Sequence, residues 1–199
     1  MTFLRFKNVF LIILILLIVA TRTFAQNSYE IMYEESLIQG SVKYTVVGKY
    51  IAKFKEYEGQ IVFDPQDISK DFVRLVIDSR SIQSRFETLD EIVRSRRLLD
   101  AKTYPKIIFS SHHWEKAKNG YRVQGELEMH GKKGILDFPF QLKGPKTDEL
   151  GRPYLEAEGK WLINRKDFDI VWSRILDVGG VIVGNHISVD WKVRAYLKL

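Results

Sequence analysis

Not one cysteine occurs among the 199 residues, which excludes disulfides, thiolate metal sites and cysteine nucleophiles together. It also excludes a lipid anchor on an N-terminal cysteine. There is no block of like charge either. Lys and Arg are interleaved with Asp and Glu along nearly every segment, the pattern of a solvated face rather than of a groove tracking phosphates. Nucleic acid is therefore not an expected partner. No internal repeat and no low-complexity tract appears, and the longest connection without a strand pattern is Gly144 to Pro153.

Catalytic signatures are missing as well. The chain has no Gly-x-Ser-x-Gly elbow, no phosphate-binding glycine loop and no His-Glu-x-x-His. Of the four histidines, His112 and His113 are adjacent and in a strand would point to opposite faces, while His130 falls in a turn and His186 at a strand start. None has the spacing of a metal ligand set. Glu126 and Glu128, like Glu156 and Glu158, sit two apart on faces assigned to solvent. The expectation is a protein that is not an enzyme, with no metal and no cofactor.

The longest apolar run, Val9 to Ala20, has 12 residues, well short of the roughly 20 that span a bilayer. Arg5 and Lys7 precede it and Thr23-Phe24-Ala25 follow, as in a secretory leader cut after Ala25. Residues 1–25 are thus expected to be a signal peptide and residues 26–199 the mature domain, periplasmic or secreted, with no stable membrane anchor after cleavage. Losing the leader removes Arg5, Lys7 and Arg22 and no acid, so the formal net charge of +6 falls by three to +3. Hydrophobic residues make up 45% of the chain and aromatic residues 13%, enough for one well-filled domain and too few for two.

What is present is alternation. In Gly120 to Met129, Tyr121, Val123, Leu127 and Met129 share one face while Arg122, Gln124, Glu126 and Glu128 share the other. Leu136, Phe138, Phe140 and Leu142 repeat the pattern after a short glycine-bearing turn, predicting an antiparallel hairpin. Leu155 to Ile163 and Ile187 to Leu197 alternate in the same way, as do Val73, Leu75 and Ile77. Weaker strands are expected at Ser41 to Val47, Tyr50 to Phe54, Glu58 to Phe63 and Lys106 to Ser111. Only Glu87 to Leu99 breaks the rhythm: Leu89, Ile92 and Val93 at helical spacing, acids early and arginines late, predict one amphipathic helix. Eight or nine strands with one short helix describe an all-β domain, a barrel or a sandwich.

A packed core is the default reading of the inward residues. An eight-stranded barrel can, however, just be filled by side chains or hold one slender ligand. Gly125 and Gly159 fall in the inward register, where a missing side chain would leave room. The candidate cavity lining is Tyr121, Val123, Leu127, Met129, Phe138, Phe140, Trp161, Val189 and Trp191.

Several stretches in the right order resemble the YceI-like family of polyisoprenoid-binding proteins with a lipocalin-like barrel. They are "FKEYEGQIVFDP", "VRLVIDSRSIQSR" followed by a short helix and "DAKTYPKIIFSS", "VQGELEMHGKKGILDFPFQL", and "INRKDFDIVW". Together they span nearly all of residues 36 to 198. The chain departs from the family pattern at Asp169, where glycine is usual, and at Leu98-Leu99, which stand in place of an aromatic pair. The resemblance implies an antiparallel lipocalin-like β-barrel of about eight strands, export, and an apolar tunnel holding a long isoprenoid, a quinone or another long-chain lipid without covalent chemistry. A homodimer is left open. Arg165, within "INRKDFDIVW", is expected at the barrel end, either tied to a carboxylate as a structural group or facing a polar ligand head at the cavity mouth, the structural role being favoured. Against the carrier reading stand a filled barrel serving as an interaction or stress-protection scaffold and, last, an enzyme acting on a lipid.

Overall fold

A computed structural model describes residues 27–44, 48–172 and 183–198; the leader expected at residues 1–25 lies outside them. The chain forms β1 (Ser28–Ile31), β2 (Leu37–Tyr44), β3 (Gly48–Phe54), β4 (Tyr57–Val62), β5 (Phe72–Asp78), β6 (Ile82–Gln83), α1 (Glu87–Arg94), β7 (Lys106–Ala117), β8 (Gly120–Met129), β9 (Lys132–Thr147), β10 (Pro153–Asn164) and β11 (Val183–Leu197). All pairings are antiparallel, and β1–β4–β5–β7–β8–β9–β10–β11 close into an eight-stranded ring through the pairing of β1 with β11.

The count of eleven strands against an expected eight or nine has a simple cause. A 3-10 turn at Tyr33–Glu35 separates β1 from β2, Lys55-Glu56 separates β3 from β4, and a second 3-10 turn at Ser79–Ser81 separates β5 from β6. The halves β1, β4 and β5 pair with one another at the lower end, and β2, β3 and β6 pair at the upper end. Three strands of the barrel are therefore kinked at one level. The long β11 runs past the kink, pairing β2 through Val183 to Lys192 and β1 through Ala195 to Leu197.

At the upper end the ring is not closed by strand pairing. The two residues of β6 pair only with β3, while β7 begins at Lys106 opposite Asp78 of β5. The opening is spanned by α1 and the turn after it. Arg94 Nη1 donates to the Ile82 carbonyl at 3.0 Å, and the fully buried carboxylate of Asp90 accepts from Tyr50 Oη at 2.6 Å and from the Ser84 amide at 2.8 Å. Burial alone would raise the Asp90 pKa, but these hydrogen bonds outweigh it and hold the group below the usual carboxylate range. The helix is shorter than its sequence pattern. Ser95 adopts extended backbone and its hydroxyl donates to the Ile92 carbonyl at 2.7 Å, taking over an acceptor at the helix end. Leu98 and Leu99 consequently lie in the turn, both buried against the barrel end.

Alternation sets the inward faces of β8 to β11 as expected, with one local exception. A bulge in β7 between Ser111 and His113 leaves His112 and His113 both exposed rather than on opposite faces. Ser111, at the bulge, accepts from the Val73 amide at 2.8 Å and the Trp114 indole at 3.0 Å. The lower barrel is filled by rings: Trp114 lies 4.9 Å from Phe140 and 6.4 Å from Phe63, with Tyr121 5.8 Å from Phe63.

Beneath those rings the buried Asp71 accepts from the Asp64 amide at 2.8 Å, while its second oxygen has no partner. Burial pushes its pKa up to about 6. A raised carboxyl binds its proton more tightly folded than unfolded, so this group favours the fold at low pH and opposes it as pH climbs through the interval between the two pKa values. Asp71→Asn should therefore gain stability over wild type between pH 4 and pH 7.5, by about 2 kcal/mol. Urea unfolding at the two pH values checks this, and an unchanging difference would show that Asp71 does not titrate there.

Candidate functional site

The barrel interior holds two cavities, one above the other. The upper encloses ≈ 120 Å³ between β2, β3, β6, α1 and the upper ends of β7, β8, β10 and β11. The lower, ≈ 50 Å³, lies among β1, β4, β5 and the middle of β7 to β11. Ile38, Leu75, Phe109 and Trp161 border both and form the partition between them. At the partition Phe109 stands 5.7 Å from Trp161, and Phe138 packs against both, 4.7 Å from Trp161 and 5.6 Å from Phe109.

Of the nine residues assigned from sequence to the lining, Val123, Phe138, Phe140 and Trp191 border the lower cavity, Leu127, Met129 and Val189 the upper, and Trp161 both. Tyr121 borders neither: it is half-buried in the ring cluster at the barrel floor, 5.7 Å from Phe140. The room expected at the two inward glycines is also taken. A Cβ on Gly125 would lie 2.7 Å from the Phe109 ring, and one on Gly159 2.6 Å from the Trp191 ring. The glycines admit flat rings pressed on the sheet rather than empty space.

Sequence reasoning drew the lining only from β8 to β11. The upper cavity is walled as much by Val42, Tyr50, Phe54, Ile82 and Val93, and by Leu98 and Leu99. Two signals pointed there: the alternation of Tyr50, Ala52 and Phe54, and the departure from the family pattern at Leu98-Leu99. Ile38 gave none, because the strand is expected to start at Ser41, four residues after its start at Leu37.

Trp161 and Trp191 carry buried indole N–H groups without an acceptor, their rings 5.9 Å apart. Leaving such a donor unpaired costs roughly 1–3 kcal/mol. An occupant that brought an acceptor to either N–H would recover that group's cost.

Arg165 is 1% exposed and borders the upper cavity from below the rim. No carboxylate among the described residues pairs with it, contrary to the ion pair weighed from sequence. Instead Nε donates to the Gly184 carbonyl at 2.9 Å, Nη1 to those of Ile170 at 2.5 Å and Trp172 at 2.9 Å, and Nη2 to that of Val183 at 3.3 Å. One side chain thus ties together both arms of the connection between β10 and β11. Burial lowers its pKa, though a guanidinium stays protonated. The preceding Asn164 accepts from the Lys166 amide at 3.3 Å and donates to Asp167 at 2.9 Å, and Phe168 packs against Gly134. Asp169 then closes the turn at φ 57°, a left-handed conformation suited to glycine that Asp also tolerates, which accounts for the family's usual residue there. Nearby, the His130 ring nitrogen Nδ1 lies 3.0 Å from the Phe168 carbonyl, so the histidine is a strut between turns. Among the described residues no group of three or more His, Asp or Glu is placed to hold a metal ion.

A closed antiparallel barrel with a dry interior and one wall finished by a helix defines the class: a lipocalin-like barrel. The YceI-like domain model matches residues 29–195, and the chain belongs to that family. Among curated relatives, the UPF0312 protein YE1254 of Yersinia enterocolitica is 27% identical over 139 residues, covering 69% of this chain and 71% of that protein. The fold resembles Burkholderia cenocepacia BcnA with a TM-score of 0.72 at 21% identity, covering 82% of this chain and 98% of that one. It also resembles a polyisoprenoid binding domain from Saccharophagus degradans, with a TM-score of 0.62 at 15% identity over 85% and 98% of the two chains.

Because four carbonyls converge on one guanidinium, Arg165→Lys should destabilise the domain by about 2 kcal/mol and Arg165→Ala by about 3 kcal/mol. Urea denaturation measures both. Loss of lipid loading with no change in stability would instead assign Arg165 to a ligand head.

Proposed function

We propose that this protein is an extracytoplasmic carrier that holds an isoprenoid or another long-chain lipid inside the barrel, binding it without chemistry. The observation that carries the reading is the stack of two apolar cavities separated only by side chains, beside a wall that strand pairing leaves unsealed. The family assignment and the polyisoprenoid-binding neighbour support a lipid ligand. The leader-like N-terminus supports export.

The space at rest is small. An apolar cavity of roughly 150 Å³ takes a benzene-sized guest, and the upper cavity is no larger than that. A long chain enters when Phe109 and Trp161 turn aside and the two cavities join. Each buried methylene then contributes about 0.8 kcal/mol. A quinone or similar oxygen-bearing head fits better than a bare hydrocarbon, since its carbonyls would accept from the unpaired indoles of Trp161 and Trp191.

The ring-filled lower barrel supports a second reading, a solid scaffold with no cargo. Native mass spectrometry of the protein from its own host, followed by organic extraction, separates the two. A stoichiometric prenyl lipid or quinone is expected, and Met129→Trp, which fills the upper cavity, should reduce loading at least tenfold while the domain still melts cooperatively. An unloaded protein that takes up no added polyprenyl lipid would favour the scaffold.

A further inference from the structure

The outer face of the barrel is not uniform. On β8 to β11 most cations are paired across strands, Lys192 excepted: Lys133 with Glu126 at 2.8 Å, Lys146 with Glu156 at 2.8 Å, Lys160 with Asp190 at 3.1 Å and Arg122 with Asp137 at 2.7 Å. On β2, β3 and β6 they are not. Lys43 stands opposite Lys49 and Lys53 stands between Gln39 and Gln83, all on the outer face. Lys55 and Arg85 flank them, and none of these five cations forms an ion pair with a described residue. Of the acids beside this face, Asp190 is engaged by Lys160 and Glu87 by Arg94, while Glu56, next to Lys55, is exposed and forms no ion pair with a described residue. In the middle of the cationic face two bulky apolar side chains project outward, Ile51 at 47% exposure and Phe86 at 45%.

The inner side of the same wall lines the upper cavity through Tyr50, Phe54 and Ile82, and Phe86 immediately precedes α1, which spans the opening between β6 and β7. We propose that this face docks on anionic phospholipid membranes, with Lys43, Lys49, Lys53, Lys55 and Arg85 on the headgroup phosphates and Ile51 and Phe86 in the headgroup boundary, setting the α1 opening against the bilayer. Charge complementarity identifies the occupant: the face has five cations without an ion-pair partner among the described residues against one such carboxylate, Glu56, beside Lys55. The two apolar side chains distinguish a lipid surface from a nucleic acid, which offers them no apolar layer. Each Lys or Arg near such a surface contributes about fivefold in partitioning, and salt weakens it within a Debye length.

Vesicle co-sedimentation of the full chain tests this, with the state of its N-terminus established by intact mass so that any retained leader is the same in every variant. The expected result is stronger binding to vesicles of phosphatidylglycerol and phosphatidylcholine than to phosphatidylcholine alone. That preference should weaken as salt rises, and should fall at least tenfold in Lys49→Glu/Lys53→Glu. Ile51→Ser should lower binding while keeping the anionic preference. Lys116→Glu, on β7 near the opposite end of the barrel, should leave binding unchanged, and matching melting temperatures confirm that the variants fold. Equal binding to both vesicle types, equal loss in Lys116→Glu, or loss of binding to phosphatidylglycerol in none of the variants would overturn the proposal. The readout needs no lipid in the cavity, so it stands or falls apart from the carrier reading; retention by an acidic protein with no vesicle binding would also overturn it.

Discussion

Everything in this domain depends on the length of β11. At fifteen residues it reaches along the whole barrel, holding β10 on one side and, on the other, first β2 and then β1. Because β1 in turn pairs with β4, the sheet closes on itself and presents no edge at that level, so the backbone donors and acceptors of a continuous ring are satisfied without water. The interior it encloses is lined mainly by apolar side chains, and the interruption of three strands on the far side follows from the closure. Those strands wrap one end of the barrel with one partner set and the other end with another, and the change of partners requires a kink in each.

The two ends then diverge. Below the kink the inward residues are aromatic and their rings fill the space, which is why the lower cavity is small. Above it the wall is completed by an eight-residue helix whose principal polar anchor is one buried carboxylate, Asp90, held by Tyr50 and Ser84. An element fixed by three side-chain hydrogen bonds, two to Asp90 and one from Arg94 to Ile82, with no partner strand of its own, is the part of such a barrel that opens at least cost. The larger cavity, the unsealed wall and the cationic outer face therefore occur together, on the side where strand pairing is poorest.

The sequence was legible where strands are long. In β8 to β11 the period of two persists for seven to eleven residues, and the inward faces read from it match the structure. It was less legible where the period is interrupted by geometry. The breaks at Tyr33–Glu35 and Ser79–Ser81 carry no proline or glycine, so one kinked strand reads as two fragments or as one misplaced. Alternation also names the face a residue occupies but not what lies across the barrel from it. Gly125 and Gly159 were correctly placed inward, yet only the opposing Phe109 and Trp191 show that the vacancy is used. Arg165 posed the same difficulty in polar form: its acceptors are carbonyls at positions 170, 172, 183 and 184, and backbone acceptors leave no mark in a sequence.

The partition has a consequence for which ligands the barrel can prefer. Displacing Phe109 and Trp161 from their packed positions forfeits contacts worth up to about 3–5 kcal/mol for each ring, the usual range for disrupting one large buried aromatic side chain. A methylene-sized group transferred from water returns about 0.8 kcal/mol. On those figures roughly eight to twelve such groups offset the opening of both rings, and affinity accumulates with every group beyond them. A small apolar guest can occupy the upper cavity without moving the rings and gains little. A long chain moves them and continues to gain along its length. In the proposed carrier, discrimination by chain length would arise from the cost of two rings, with no polar contact needed to measure it, and an acceptor carried within reach of the unpaired indoles would add a preference for a particular head group to a selection already made on length.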